Sequence, residues 1–172
     1  MKPSVTLLAI LVVTATGTWA LPPGSSVPSF EATALTHQKV TAQQLIGRPT
    51  ILIVTPTKAA AEDTRQWAVA LRNSLNERSV RVRDVLAIDL PFFMSESDAI
   101  GRAREKIPAR YHDQTWLLAE PSLEKALGIP TDSSSAFIFV LDAQARVVTR
   151  VQGDPIRERV EEVVSAVRQL KR

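Results

Sequence analysis

Short apolar runs alternate with longer amphipathic segments along most of the chain. The runs TILIV (50–54), VLAIDL (85–90) and TWLLA (115–119) have the length of buried strands, and the first is rich in β-branched residues. Between them, residues 60–77 show helical spacing, and residues 92–107 read as a loop that enters a helix. The pattern predicts strands separated by helices, which is the order of an α/β domain.

Three local signals define the helices further. In the first helix Trp67 and Leu71 lie four residues apart on one apolar face, and Val69 is expected to widen that face. In the second, Ser95 and Asp98 are spaced as a capping box. The segment PSLEKALG (121–128) predicts a short third helix that ends at its glycine.

The last third of the chain predicts a hairpin followed by a helix. AFIFVLDA (136–143) and ARVVTRVQG (145–153) are separated by a tight turn and are expected to pair antiparallel. Asp154 is expected to cap the final helix, with Pro155 at its first position. Its apolar stripe is Ile156, Val160, Val163, Val164, Val167 and Leu170. The full order, β-α-β-α-β-α-β-β-α, predicts a three-layer α/β/α domain with a mixed central sheet and a C-terminal helix.

The first twenty residues, MKPSVTLLAILVVTATGTWA, have the pattern of a secretory signal peptide. A basic residue precedes an apolar run that ends in small residues, which predicts cleavage after Ala20. The alternative is an uncleaved anchor helix, although about 15 apolar or small residues fall short of the roughly 20 that a span needs. We therefore expect a signal peptide at 1–20 and a single periplasmic or secreted domain at 21–172, which starts with an extended Pro- and Ser-rich segment at 21–29.

Composition excludes several classes of function. The 21 basic residues nearly balance the 18 acidic ones, they are scattered along the helices, and aromatic residues make up only 5%, so no nucleic-acid surface is expected. The chain has no cysteine. Disulfide exchange and peroxide reduction both need a thiolate, so neither is available to this protein. In an oxidising compartment the chain must fold on its apolar core alone.

Metal and cofactor chemistry has little support in the sequence. The two histidines, His37 and His112, lack metal-binding spacing and are expected to be ordinary surface or loop residues. A hard-cation site built from Glu62, Asp63 and Asp89 is conceivable because strand ends converge in such folds, but no calcium-loop spacing supports it. No nucleophile elbow or Gly-rich phosphate loop is present. We therefore predict no catalytic residue, no metal and no cofactor.

Several segments, in this order, resemble the thioredoxin-like superfamily, especially its peroxiredoxin and membrane-anchored thiol-reductase branches. They are GSSVPSF (24–30), IGRPTILIV (46–54) and EKALGIP followed by SSSAFIFVLDAQARVV. A closer likeness, carried by the last of these segments, is to the small, secreted YtfJ-like proteins, a cysteine-free branch. The resemblance implies a thioredoxin-like fold over nearly all of residues 21–172.

The chain departs from that superfamily where the family's chemistry resides. The family's redox helix begins with one or two cysteines, and the equivalent stretch here is TKAAAEDTR (57–65). The family's cis-proline before the hairpin maps near Ala136, which follows three serines. The resemblance therefore implies the fold but not the redox activity.

The corner between the first strand and first helix is the candidate site. Helix N-termini present unpaired N–H groups and partial positive charge, and Lys58 and Arg65 lie near. The resemblance implies that this corner and the loop before the hairpin grip an extended peptide. The predicted groove consists of Thr57, Lys58, Ala59, Arg65, Ser134, Ser135 and Ala136. In the alternative interpretation the groove is vestigial and the alanines only favour the start of the helix.

These observations predict an exported, redox-inactive domain that binds an unknown protein or peptide partner in the extracytoplasmic space. Two alternatives remain open at this level. One is an enzyme with a non-thiol site at the same corner, and the other is a membrane-tethered accessory domain that keeps its N-terminal segment.

Export can be tested directly at the N-terminus. We expect mass spectrometry of the protein from the extracytoplasmic fraction to find a chain that starts near Leu21, because small residues follow the apolar run there. Recovery of intact chains beginning at Met1 from the membrane fraction would show that the segment is retained as an anchor.

Overall fold

The computed structural model describes residues 21–76, 78–118 and 122–170, without the side chain of Ser122. The predicted signal peptide, residues 1–20, lies outside the described residues. Within the described residues no helix is both long enough and apolar enough to cross a membrane.

The described strands form one mixed sheet in the order β2-β1-β5-β4-β3-β6-β7. The strands are β1 (Glu31–Ala34), β2 (Lys39–Thr41), β3 (Thr50–Thr55), β4 (Arg81–Leu86), β5 (Thr115–Leu118), β6 (Phe137–Leu141) and β7 (Val147–Gln152). The helices are α1 (Ala61–Ser74), α2 (Glu96–Lys106), α3 (Ser122–Leu127) and α4 (Arg157–Gln169). Strands β3, β4 and β5 run parallel, and the other neighbours pair antiparallel.

The sheet carries apolar layers on both faces, which confirms the predicted α/β class. On one face Ile51 and Ile53 pack with Trp67 of α1 and Val163 of α4. On the other face Leu52 and Val54 pack with the apolar residues of α3 and with Phe30 from the N-terminal segment. Because side chains alternate along β3, this one strand contributes to both layers.

Strand β4 differs from its prediction. The sequence indicated residues 85–90, whereas the strand is Arg81–Leu86 and residues 87–90 have no regular structure. Ala87 still donates its N–H to the carbonyl of Thr55 at 3.0 Å, and the chain then leaves the sheet. The prediction was wrong because it followed the run of apolar residues. The strand itself, RVRDVL, mixes charged and apolar residues, so its first half was missed.

The two arginines of β4, Arg81 and Arg83, find partners for their charges within the fold. The guanidinium of Arg81 donates hydrogen bonds to the carbonyls of Leu45 and Arg48, both at 2.9 Å. The guanidinium of Arg83 lies over the ring of Trp116, 5.6 Å from its centroid. Each charge is therefore accommodated by residues far away in sequence.

The N-terminal part of the domain contains a hairpin that the sequence did not predict. Strand β1 pairs with β2 and also inserts beside β5, yet its sequence EATA has no apolar run. The segment before it forms a turn at Pro23 and Gly24 and is tied to the far end of the sheet. Gly24 donates its N–H to the carbonyl of Val147 at 2.7 Å, and Val27 donates to Ala145 at 2.9 Å.

The helix ends confirm some of the local signals and correct others. The capping box of Ser95 and Asp98 is present at the start of α2, and Gly128 follows α3 with a φ of 65°. Asp154 is not the cap of α4, because the capping position is Ile156 and no side chain bonds there. Ile156 precedes α4 and is exposed, so it does not belong to the apolar stripe of that helix. Val69, 58% exposed, does not widen the buried face of α1.

A buried ion pair connects α1 to the middle of the sheet. Arg72 donates to the carboxylate of Asp84 at 2.7 Å, and the two side chains are only 8% and 11% exposed. The guanidinium also lies over the ring of Tyr111, 4.4 Å from its centroid. Burial raises the pKa of Asp84, and the charge of Arg72 opposes that effect.

Removing one partner of this pair should be costly. We expect Arg72→Met to lower the free energy of unfolding by about 3 kcal/mol, because it leaves the carboxylate of Asp84 buried without its counter-charge. Chemical denaturation would measure the change. The matched control is Arg157→Met, which breaks an exposed 2.8 Å pair with Glu161 and should cost under about 0.5 kcal/mol. Equal effects of the two substitutions would contradict the role assigned to the buried pair.

Candidate functional site

The carboxyl ends of the parallel strands meet at one edge of the sheet. Because β6 and β7 run antiparallel to β3, the start of β6 and the end of β7 reach the same edge. We call this region the carboxyl edge. It comprises the corner 56–60, the loop 87–95, helix α3, the loop 130–136 and residues 153–156. Ligands of open α/β sheets bind most often at this edge.

The corner is built by a short 3-10 turn between β3 and α1. Thr57 is extended, with a φ of −142°, and its hydroxyl accepts the N–H of Ala60 at 3.4 Å. Below the turn, Thr55 donates to the hydroxyl of Thr64 at 2.9 Å, and Thr64 donates to the carbonyl of Ala60 at 3.0 Å. Ala60 is fully buried against this hydroxyl chain, while Lys58 and Ala59 are exposed.

One hydrogen bond joins the corner to the loop that precedes β6, because Thr57 donates its hydroxyl proton to the carbonyl of Ser133 at 2.7 Å. The carboxylate of Asp63, in the first turn of α1, lies near the backbone N–H of Ala136 in the same loop. Burial raises the pKa of Asp63, the negative charge of Asp154 adds to that rise, and the N–H of Ala136 opposes it. The corner and the loop are therefore one connected surface.

The residues of the predicted groove have different surroundings. Thr57 contacts the loop, and Ser134 is exposed beside it, while Ser135 is half-buried. Ala136 is fully buried and faces the core. Arg65 is 72% exposed and forms a 3.0 Å ion pair with Glu62 on the solvent side of α1.

Part of the backbone of the loop is occupied by bonds within the protein. Ser135 donates its N–H to the hydroxyl of Ser133 at 3.2 Å. The carbonyl of Ala136 accepts the N–H of Gly153 at 3.2 Å. No cis peptide bond occurs in the part of the chain that the structure describes. A ligand at this surface would therefore contact side chains, chiefly those of Lys58 and Ser134, and not extend a backbone ladder.

Glu124 is a second unusual group at the carboxyl edge, and the sequence did not single it out. It lies on α3 between two core leucines and is only 4% exposed. Burial raises its pKa to about 7, and the negative charge of Asp89 adds to that rise. A short polar helix with one glutamate looks like an ordinary surface helix in sequence, so its burial could be seen only in the fold.

The structure bears on the possible cation site and on the two histidines. The described residues include no group of three His, Asp or Glu side chains that could hold a metal ion, so Glu62, Asp63 and Asp89 do not come together as one site. His37 is exposed in a turn, as expected. His112 also lies in a turn, but it is buried there, and its Nε2 lies 2.8 Å from the carbonyl of Ile107.

Comparison with known proteins shows the fold. No protein-family model matches the chain, and no curated protein matches it. The thioredoxin domain of a thiol-disulfide oxidoreductase from Bacteroides vulgatus matches with a TM-score of 0.57 and 17% identity, over 84% of this chain and 99% of that one. The exposed lipoprotein thioredoxin of Streptococcus pneumoniae strain TIGR4 matches with a TM-score of 0.59 and 11% identity, over 80% and 98%.

A third solved structure, a thiol:disulfide interchange protein from Bacteroides sp., matches with a TM-score of 0.59 and 16% identity, over 85% of this chain and 92% of that one. These structures cover most of both chains, so the predicted thioredoxin-like fold is confirmed. At such low identity the likeness extends to the fold alone.

Glu124 should make stability depend on pH. Its pKa in the folded protein, about 7, lies above the ordinary value of 4.5, so the fold favours the neutral acid. This contribution is fully present below about pH 4.5 and is lost as the pH rises through 7. We expect the free energy of unfolding to fall by about 1 to 2 kcal/mol between pH 5.5 and 8.5, and Glu124→Gln to remove that fall.

Denaturation curves at several pH values would measure this difference. The exposed Glu158 offers a control, because Glu158→Gln should leave the pH dependence of the wild type unchanged. If Glu124→Gln and the wild type lose stability in parallel, Glu124 is not the group that titrates.

Proposed function

We propose that the chain is an exported, redox-inactive thioredoxin-like domain that binds a protein or peptide partner at its corner. The binding surface, which we call the corner–loop surface, consists of Thr57, Lys58, Ala59, Ser134 and Ser135. The observation that carries the proposal is the 2.7 Å bond from Thr57 to Ser133, which joins the two segments. They occupy the place where the thioredoxin-like family, by the resemblance above, has its reactive centre.

Rigidity favours binding at this surface. The bond from Thr57 to Ser133 holds the corner and the loop together before any partner arrives, which lowers the entropy lost on binding. Lys58 adds a positive charge beside the first N–H groups of the helix. A partner segment with a carboxylate can therefore form an ion pair with Lys58.

Two further parts of the proposal have support in the sequence. Export is supported by the signal-like pattern of residues 1–20. Membership of the YtfJ-like branch is supported by the segment SSSAFIFVLDAQARVV, which covers β6 and the turn into β7. In that turn Asp142 accepts the N–H groups of Gln144 and Arg146 at 2.9 and 2.8 Å, which explains why the segment carries an aspartate there.

A second candidate function is an enzyme with a non-thiol site at the carboxyl edge. It is favoured by Glu124, because a carboxyl group with a pKa of about 7 is suited to general acid or base catalysis near neutral pH. A membrane-tethered accessory domain would follow from the same binding surface if residues 1–20 were retained.

Two substitutions on the corner–loop surface test the binding proposal. We expect Lys58→Glu to weaken capture of the partner by on the order of 1 kcal/mol or more, because it reverses a charge beside helix N–H groups. We expect Ser134→Tyr to block the surface sterically. Both positions are exposed, so stability should change by only about 0.5 kcal/mol. Quantitative mass spectrometry of proteins captured from the extracytoplasmic fraction would compare each variant with the wild type.

Substitutions on the polar face of α4 provide the control. Arg157→Ala and Glu161→Ala remove an exposed ion pair in the helical layer and should leave capture unchanged. If the α4 variants lose a partner that both corner variants retain, the binding surface lies on that layer and the proposal is wrong.

A further inference from the structure

The loop 87–95 exposes two large aromatic side chains. Phe92 is 101% exposed and Phe93 is 72% exposed. Their rings contact each other edge to face, with centroids 5.4 Å apart. Contiguous exposed apolar patches mark interaction sites, whereas single exposed apolar residues are normal.

A shallow depression lies directly beside this pair, between the loop and α2. Its volume is about 300 Å³, and it is lined by Phe93, Met94, Ser97, Asp98, Gly101, Arg102 and Glu105. A side chain on Gly101, in the middle of α2, would meet no atom within 4 Å, so the helix surface is open there. The patch thus has a projecting ring and a recess next to each other.

We propose that this patch binds a second copy of the chain, in a two-fold symmetric dimer in which Phe92 of each copy enters the depression of the other. A two-fold interface uses the same surface on both copies, so that surface must supply both the projection and the recess. Phe92 supplies the first and the face of α2 around Gly101 supplies the second.

The charges and the size of the patch fit this occupant. The recess has both acidic and basic groups at its rim, Asp98 and Glu105 with Arg102, so opposite charges can face each other across the axis. An aromatic side chain buries roughly 150–250 Å², so the two rings supply about 300–500 Å² per copy. A standard interface side is about 800 Å², so the face of α2 has to supply the rest. Association should therefore be modest, with a dissociation constant on the order of micromolar.

The test is sedimentation velocity of the purified protein from about 1 to 500 μM, a range that brackets micromolar association. We expect a reversible dimer. Phe92→Ser should weaken association at least tenfold by removing the projection, and Gly101→Gln should do the same by filling the recess. Circular dichroism would confirm that both variants are folded. Val69→Ser, which removes an exposed apolar residue from α1, should leave association unchanged.

Mixing the two variants makes the test specific to this geometry. Phe92→Ser keeps its recess and Gly101→Gln keeps its projecting ring, so a mixed dimer regains one of the two contacts. We expect the mixture to associate more strongly than either variant alone. The proposal is overturned by a wild type that stays monomeric up to 500 μM, by a dimer that Phe92→Ser does not affect, or by a mixture no stronger than its components.

Discussion

The burial of β3 on both faces is the constraint on which the rest of the structure depends. Every residue from Thr50 to Thr55 is at most 1% exposed. Ile51 and Ile53 belong to the layer with α1 and α4, and Leu52 and Val54 belong to the layer with α3. A cysteine-free chain has no disulfide between these layers, so the strands that contribute to both of them, among them β3 and β6, couple the layers through packing. The corner follows the C-terminal end of β3, so the burial of this strand also fixes the position of the corner at the carboxyl edge.

Three alanines at that corner follow from the same geometry. The turn must pass close to the loop before β6, because Thr57 bonds to Ser133 at 2.7 Å. Ala60 is fully buried over the hydroxyls of Thr55 and Thr64, where a larger side chain would separate the helix from the sheet. Ala59 faces solvent beside Lys58. Ala60 is therefore part of the packed interior, whereas Ala59 belongs to the surface.

The two buried carboxyl groups, Asp84 and Glu124, differ in the charges that surround them. Asp84 meets the guanidinium of Arg72 at 2.7 Å and serves to hold α1 on the sheet. Glu124 has Asp89, a like charge, as its electrostatic neighbour, and its pKa rises to about 7. Burial disfavours the charged form of both groups, and only the neighbour differs. The ion pair of Asp84 thus lies in the middle of the sheet, while Glu124 lies at the carboxyl edge.

The sequence by itself determined the features that depend on neighbouring residues. Local sequence was enough to predict the apolar run of β3 and the capping box of Ser95 and Asp98. Composition was enough to exclude thiol chemistry. Only the tertiary structure decided the place of β4, because Arg81 finds its acceptors more than thirty residues away. The same holds for the proximity of Asp63 to the backbone N–H of Ala136 and for the burial of Glu124. A local sequence pattern indicates the secondary structure that a segment favours. A charged side chain can be buried only when folding brings hydrogen-bonding or charged partners to it, and those partners are often distant in sequence.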